Sequence, residues 1–456
     1  MHIGIDIGTS GAKAVAIDAS GIVLAQHDES YELYSPRDGF AEQNPEDWFN
    51  AAVKCIAALG KADAISFSGQ MHGLVLLDAA GNVLRPAIIW CDQRTEAEAA
   101  YLTDTIGNEK LSAITGSPAM TGFTAAKILW VQNNEPDIWA KTAHILLPKD
   151  YVRYKLTGVL STEPSDAAGT QLFDINTLNW SGELLDALKI PLDRLPKILA
   201  SNEVAGFYNN TPVFSGGADN ACGAIGIGVI KNGTAMLSIG TSGVILAPVD
   251  HAVSDKLGRI HTLCTAAPGG RMLMSCTQAA ALSVKWFAET TGIADDELEN
   301  IPDSTNVIYL PYLNGERSPH PDPNARGVFI GLTANTTKYD MLRAVYEGVA
   351  FSQRECLDVF RELGVEIKTL TATGGGAKNR KWLQIFADIL RVAISVPDVD
   401  QGAAYGAATL ALLAMNNEQL IMNNKTTVYA PGTDTDYSGK YEVYKSLYVC
   451  LKGLSI

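Results

Sequence analysis

The sequence predicts an α/β fold built as two similar lobes, and three observations carry that prediction. A Gly-Thr-Ser-Gly turn between apolar runs occurs twice, at Gly8-Thr9-Ser10-Gly11 and Gly240-Thr241-Ser242-Gly243, separated by about half of the 456 residues. A repeat at half-length in the same strand–turn–strand setting marks a duplicated unit. Around these turns helical and extended patterns alternate, as they do where helices cover sheets. The chain is also long for one domain of about 150 residues, and with 47% apolar and 19% charged residues each half can bury its own core. The expected lobes are residues 1–228 and 229–456, divided in the Ile-Gly-Ile-Gly-Val-Ile-Lys-Asn-Gly stretch.

Residues 2–7, 12–17 and 22–26 are short apolar runs parted by Gly8-Thr9-Ser10-Gly11 and Asp18-Ala19-Ser20-Gly21, which predicts an antiparallel meander. A helix is expected over 48–59, buried strands over 64–68 and 88–90, and a helix over 93–105. Pro212-Val213-Phe214 reads as a strand, Gly216-Gly217 as a turn, and Asp219 as the N-cap of a helical run over 220–227. Residues 234–237 and 244–247 flank the second turn. Beyond it the pattern predicts a long helix over 341–363, an extended run over 368–373, the triplet Gly374-Gly375-Gly376 and a helix over 380–393. Residues 401–415 are helical and rich in small side chains, so this helix is expected to lie close against a neighbour.

Composition narrows the function. Lys plus Arg number 35 against 50 Asp plus Glu, a net charge of −15. Such a chain repels polyphosphate at long range, which argues against a nucleic-acid partner. It leaves room for one small anion held by backbone N–H groups and a cation. The longest apolar window, near 407–415, falls far short of the roughly 20 residues of a membrane helix, so no membrane partner is expected. The first residues show no basic segment, long apolar stretch or small-residue cleavage site, so no signal peptide is expected. Seven cysteines without a CxxC pair predict free thiols in a reducing compartment, here the cytoplasm. There is no GxxxxGK[ST] phosphate loop, no protein-kinase catalytic pair, no GxGxxG after the first strand and no HExxH.

The candidate chemistry lies in the turns. A tight turn needs Gly where φ is positive, and it can aim successive N–H groups and hydroxyls into one concavity that suits phosphate oxygens. One such turn is as readily an ordinary hairpin loop, but two, one per lobe, can grip a polyphosphate from both sides. Gly8, Thr9, Ser10, Gly240 and Thr241 are therefore candidate phosphate contacts. Asp6 ends the first strand beside the turn, where a carboxylate next to phosphates is favourable only through Mg²⁺, or else simply caps the turn. Lys13, just past the turn, either offsets phosphate charge or is solvated. Asp219 stands at a strand's C-terminal edge, where α/β ligands sit, and is a candidate general base. A helix N-terminus is expected to hold its pKa low, which phosphoryl transfer tolerates because its transition state is loose. Gly374-Gly375-Gly376, followed by Ala377-Lys378-Asn379, lets a ligand approach the backbone or serves as a connector. His72, in Ser68-Gly69-Gln70-Met71-His72-Gly73, stands out by its polar setting after a buried strand.

Longer stretches point to a family. Gly122-Phe123-Thr124-Ala125-Ala126-Lys127-Ile128-Leu129-Trp130-Val131-Gln132-Asn133 resembles one signature of the FGGY carbohydrate kinases. Gly327-Val328-Phe329-Ile330-Gly331-Leu332, continuing to Asp340 and Ala344-Val345-Tyr346-Glu347, resembles the other. Trp90-Cys91-Asp92-Gln93-Arg94, Leu147-Pro148-Lys149-Asp150-Tyr151 and Asn314-Gly315-Glu316-Arg317 are similar to the family too, and the likeness runs from Met1 to about Met415. The resemblance implies an actin-like, ribonuclease-H-like fold, two lobes around a central cleft with ATP gripped by both. It implies transfer of the γ-phosphoryl group to a terminal hydroxyl of an open-chain ketose. Asp219 would be the catalytic base and Asp6 the acid associated with Mg²⁺. Gly8, Thr9, Ser10 and Lys13 would belong to the first phosphate hairpin, Gly240 and Thr241 to the second, and Gly375, Gly376 and Asn379 to the nucleotide site. Gln70-Met71-His72-Gly73 resembles the stretch with which family members acting on D-xylulose contact the sugar, which makes Met71, His72, Asp219 and Asn220 the expected sugar contacts. Members acting on glycerol place Arg-Glu there, and this chain does not. The expected reaction is ATP + D-xylulose → ADP + D-xylulose 5-phosphate. The alternatives are a kinase of ribulose, gluconate or a related polyol, an actin-fold ATPase without sugar, and a non-catalytic sugar binder. The expected partners are ATP and a small sugar, and a homodimer is among the assemblies left open.

Overall fold

The computed structural model describes residues 1–397, 402–416, 426–433 and 436–452. In the first half, β1 (His2–Ile7), β2 (Gly11–Ile17) and β3 (Val23–Ser30) form the antiparallel meander. β4 (Ala64–Gly69) pairs parallel with β1. Beyond it lie β5 (Val204–Tyr208), β6 (Thr211–Phe214) and the short β7 (Gly217–Ala218), in the order β5-β6-β4-β1-β2-β3 with β7 also on β4. β4 is buried along its whole length, which is why it reads as a continuous run and not as an alternation.

The second half repeats this plan. Its strands are β8 (Thr234–Ile239), β9 (Gly243–Val249), β10 (His261–Cys264), β11 (Arg271–Thr277), β12 (Thr369–Thr373), β13 (Ala393–Pro397) and β14 (Thr426–Tyr429). They run β10-β11-β9-β8-β12-β13-β14 across the sheet. In each sheet a hairpin-led meander is followed outward by two parallel strands and one antiparallel edge strand. β1 thus corresponds to β8, β2 to β9, β4 to β12 and β6 to β13. The edge strand precedes its neighbour in sequence in the first sheet and follows it in the second.

Five helices frame the cleft: α1 (Asp219–Gly226), α2 (Ala281–Thr291), α3 (Lys338–Glu362), α4 (Arg380–Leu390) and α5 (Gly402–Asn416). α3 starts three residues ahead of the predicted pattern because Thr337 and Asp340 close a capping box, each side chain accepting the other's backbone N–H. α4 stops short of the expected residue 393. Arg391 turns left-handed at φ 57° and Ala393 already belongs to β13. The helix expected over 93–105 runs Glu96–Ile106, because Asp92 holds Arg94 and the Ala41 N–H in a turn before it.

The small-residue helix α5 returns to the first lobe. It packs on β1, β2 and β4 and crosses α1. Gln401, expected at its start, lies outside the described residues. A Cβ on Gly4 would sit 2.0 Å from the Ala404 carbonyl oxygen, and one on Gly406 only 1.7 Å from that of Cys222. Backbone therefore lies on backbone at this crossing, which only glycine permits. Leu410 of α5 shares a core with Ala221, Ala224 and Ile225 of α1 and with Met236 and Leu246 of the second sheet, so the crossing is the joint between the lobes.

Candidate active site

The strand register assembles the acids. Asp6 lies opposite Ser68, and Ser68 opposite Gly217, so the carboxyl ends of β1, β4 and β7 line up. Asp219, two residues past Gly217, opens α1 at the same level. That is the place outside the carboxyl ends of parallel strands where α/β ligands bind. The loss of water around Asp219, and then the charge of Asp6, push its carboxyl up to about 7, against one backbone N–H from Asn220 at 2.7 Å. Asp6 is also raised by desolvation, opposed by the Ser68 hydroxyl and by Lys13, which faces it across the hairpin. Two expectations are corrected here. Asp219 is the first helical residue and not the N-cap, a place held by Ala218. Its pKa moves up and not down, because desolvation and a like charge outweigh the dipole of a helix of 8 residues.

The two hairpins are built alike. In the first, the Thr9 carbonyl accepts from Gln43 Nε2 at 2.7 Å, the Gly8 carbonyl from Gln70 Nε2 at 3.3 Å and the Ser10 carbonyl from the Tyr31 N–H at 3.4 Å. In the second, the Gly240 and Thr241 carbonyls accept from the Ala281 and Ala280 N–H groups, both at 2.9 Å, where α2 begins. The carbonyls are tied into the protein. Among the described residues the N–H groups of Thr9, Ser10, Thr241 and Ser242 meet no acceptor. Each turn is thus a nest of outward donors. The Thr9 hydroxyl is held by Trp90 Nε1 at 2.9 Å.

The glycine triplet abuts the second hairpin. Gly374 has φ 87°, and a Cβ on it would lie 2.9 Å from the Ile239 carbonyl oxygen, at the hairpin's root. Gly374, Gly375, Lys378, Pro397 and Tyr429 line a groove of about 650 Å³ beside it. Asn379 does structural work: its Oδ1 caps α4 through the Trp382 N–H at 2.9 Å and its Nδ2 donates to the Tyr346 hydroxyl at 3.0 Å, leaving one amide hydrogen for a ligand.

Met71, His72 and Asn220 meet on the other side of Asp219, with Asn220 Nδ2 3.9 Å from Met71 Sδ. His72 sits at φ 66°, a strained conformation for a non-glycine residue. Thr124 Oγ1 at 3.1 Å and Lys127 Nζ at 2.7 Å hold its carbonyl. Its Nδ1 lies 2.6 Å from the Gly169 carbonyl, which can only accept, so Nδ1 carries the hydrogen and Nε2 is an acceptor. The ring lies 4.1 Å from that of Phe123, and His261 of β10 lies 6.4 Å beyond Phe123. Burial lowers His72 to about 3 and His261 to about 4, with Arg317 adding to both, so both imidazoles are neutral at physiological pH. His261 and Arg317 come from the second lobe and were not singled out as site residues in the sequence. Arg317 and Lys127 lay inside quoted family stretches, whereas nothing marked His261.

A buried ionic network backs the Asp219 turn. Lys149 Nζ reaches Asp150 at 2.8 Å, Asp166 at 3.1 Å and Glu163 at 3.2 Å, all without solvent access. Glu163 accepts from Ser165 and Ser201, and Ser165 Oγ accepts the Ala218 N–H at 2.9 Å. Arg153 reaches the Ser215 carbonyl. Both ends of residues 215–218 are therefore clamped from behind.

Comparison with known proteins agrees with this geometry. Residues 1–226 match the model of the FGGY family of carbohydrate kinases, N-terminal domain, and residues 235–415 that of its C-terminal domain. A xylulose kinase of Staphylococcus xylosus is 38% identical over 98% of this chain and 99% of its own length. A Brucella ovis protein described as a xyloylose kinase superposes with a TM-score of 0.96 at 36% identity, covering 99% of both chains. A Lactobacillus acidophilus gluconate kinase superposes with a TM-score of 0.93 at 29% identity, covering 99% of this chain and 98% of its own. The fold is accordingly the actin-like pair of α/β lobes, and no helix among the described residues is long and apolar enough to cross a membrane. With both domain models matched and near full-length relatives at 38% identity, this chain belongs to the FGGY family of carbohydrate kinases.

Proposed function

We propose that the chain transfers the γ-phosphoryl group of ATP to the terminal hydroxyl of D-xylulose. The observation that carries this reading is Asp219: a carboxylate poised near pH 7, beside Met71, His72 and Asn220 on one side and the first donor nest and Asp6 on the other. The hydroxyl oxygen attacks the γ-phosphorus and forms the new O–P bond. The bond to the bridging oxygen breaks, its electron pair leaves with ADP, and the hydroxyl proton passes to Asp219. The N–H groups of the two nests hold the phosphate oxygens, fixed dipoles that need no reorganisation as charge shifts. His72 Nε2 and Asn220 orient the sugar hydroxyls, and Gly375, Gly376 and Asn379 receive the nucleotide.

Mg²⁺ fits this site through Asp6, whose buried Oδ1 has no hydrogen-bond partner. Among the described residues no three His, Cys, Asp or Glu gather to hold a metal, so the ion would be carried mainly by phosphate oxygens and water. Bound there, it neutralises phosphate charge. The domain ranges 1–228 and 229–456 accord with the matched segments, with α5 returning to the first lobe. Seven unpaired cysteines suit the cytoplasm.

A coupled ADP-release assay with D-xylulose, D-ribulose, D-gluconate and glycerol tests the reading. D-xylulose should give the highest kcat/KM, by about tenfold or more. A higher value for gluconate, the substrate named for one close structural neighbour, would reassign the acceptor. ADP release indifferent to any sugar would replace the kinase with an ATPase.

A further inference from the structure

We propose that Arg317 is the cation that binds the phosphoryl group in transit and the 5-phosphate of the product. This rests on the sugar kinase reading and names a residue for it.

The placement comes from backbone tethers. Residues 314–318 are pinned to the end of β11 at two points: the Gln278 N–H donates to Glu316 Oε1 at 2.8 Å and the Cys276 N–H to Ser318 Oγ at 3.1 Å. Cys276 pairs with Val244 and Thr277 with Gly243, so the pinned segment lies where β9 leaves the second hairpin. Arg317 projects from between the two tethers. The Cys276 thiol is within reach of both the Ser242 hydroxyl of that hairpin and the Arg317 guanidinium. The same charge acts on His72 and His261. Arg317 therefore spans from the second nest to the sugar side, between the donor and acceptor of the phosphoryl group.

It also lacks an anion. Among the described residues no carboxylate lies within ion-pair distance of Arg317. Glu316, its neighbour in sequence, turns its carboxylate onto the backbone N–H groups of Gln278 and Arg317 itself. The other cations nearby are engaged: Lys127 donates to the His72 carbonyl, and Lys13 faces Asp6. In the same pocket His261 Nδ1 is buried without a partner, a second vacancy for a polar ligand. A half-buried guanidinium with no acid, set among two carboxylates and two uncharged nests, is matched by a phosphoryl group, whose oxygens its fork can grip two at a time. Arg317 makes and breaks no bond. Because the group it holds ends on the sugar, it should favour the sugar phosphate over the sugar.

The test compares the full-length protein with Arg317→Met and Arg317→Lys, measuring kcat and the affinities for D-xylulose, D-xylulose 5-phosphate and ADP by calorimetry. Arg317→Met should lose about tenfold or more in D-xylulose 5-phosphate affinity and about a hundredfold in kcat, with D-xylulose and ADP binding changed less than about threefold. Arg317→Lys should recover part of both. Equal loss of sugar and sugar phosphate would place Arg317 on the sugar, and no loss of either would end its role. Should Arg317→Met fail to bind ADP, the ratio of the two sugar affinities in Arg317→Lys decides. If the unaltered protein phosphorylates no sugar, the substrate reading fails by itself, and Arg317 is then judged by inorganic phosphate, whose binding the variants should still weaken.

Discussion

At the end of β1 stands Asp6, opposite Ser68 of its parallel neighbour; at the end of β8 stands Ser238, opposite Thr373 of its own. The two positions are equivalent in the duplicated frame, each two residues ahead of the Gly of a phosphate nest. Past these points the lobes diverge further. β4 runs on into Gln70-Met71-His72, and β12 into Gly374-Gly375-Gly376. The first lobe thus presents an acid and sugar-facing side chains, and the second presents bare backbone. Duplication supplied two identical grips, and the chemistry was placed in the few residues after each strand. The asymmetry has an electrostatic reason. Asp6 and Asp219 already raise one another's pKa, and a third acid at position 238 would repel the phosphates that the nests are built to hold.

The largest test of this division is Asp219→Asn. It should lower kcat by about a thousandfold or more while ATP affinity holds, because only the proton acceptor is lost. Near-normal single-turnover phosphorylation by that variant would remove Asp219 from its proposed role. Next comes the twin pair. Asp6→Asn should cost about a hundredfold in kcat and weaken Mg²⁺ dependence, while Ser238→Ala should change kcat less than about threefold. Equal effects at the two positions would show that the lobes share the task after all.

The smallest effect is on stability. The Asp219 pKa rises from the ordinary 3.8 to about 7 in the folded protein. Between those values the folded state holds a proton that the unfolded state has released, so stability falls as pH rises through that window. Asp219→Asn should therefore melt a few degrees higher than the unaltered protein at pH 8, with no difference below about pH 4. In the unaltered protein, kcat/KM should drop about tenfold per unit below pH 7 as the base takes up its proton. A profile flat to pH 5 would mean that the carboxylate feels less desolvation than its setting implies.

Much of the frame was legible in the residues. The paired Gly-Thr-Ser-Gly turns announced two lobes, and the small side chains of 401–415 announced a close crossing, because both rest on local rules about φ and volume. The partner of that crossing was not legible. Nothing near Gly406 in sequence says that it must lie on Cys222, almost half the chain away. The pKa of Asp219 was misjudged for the same reason: a helix terminus is visible in sequence, but Asp6 becomes its neighbour only through three strands in register.

His261 and Arg317 show the boundary most plainly. The sequence by itself determined which strands and turns form, since period, glycine and capping act over a few residues. Only the tertiary structure decided which charges face each other across the cleft, because electrostatic and steric terms depend on distances in space that chain separation does not set.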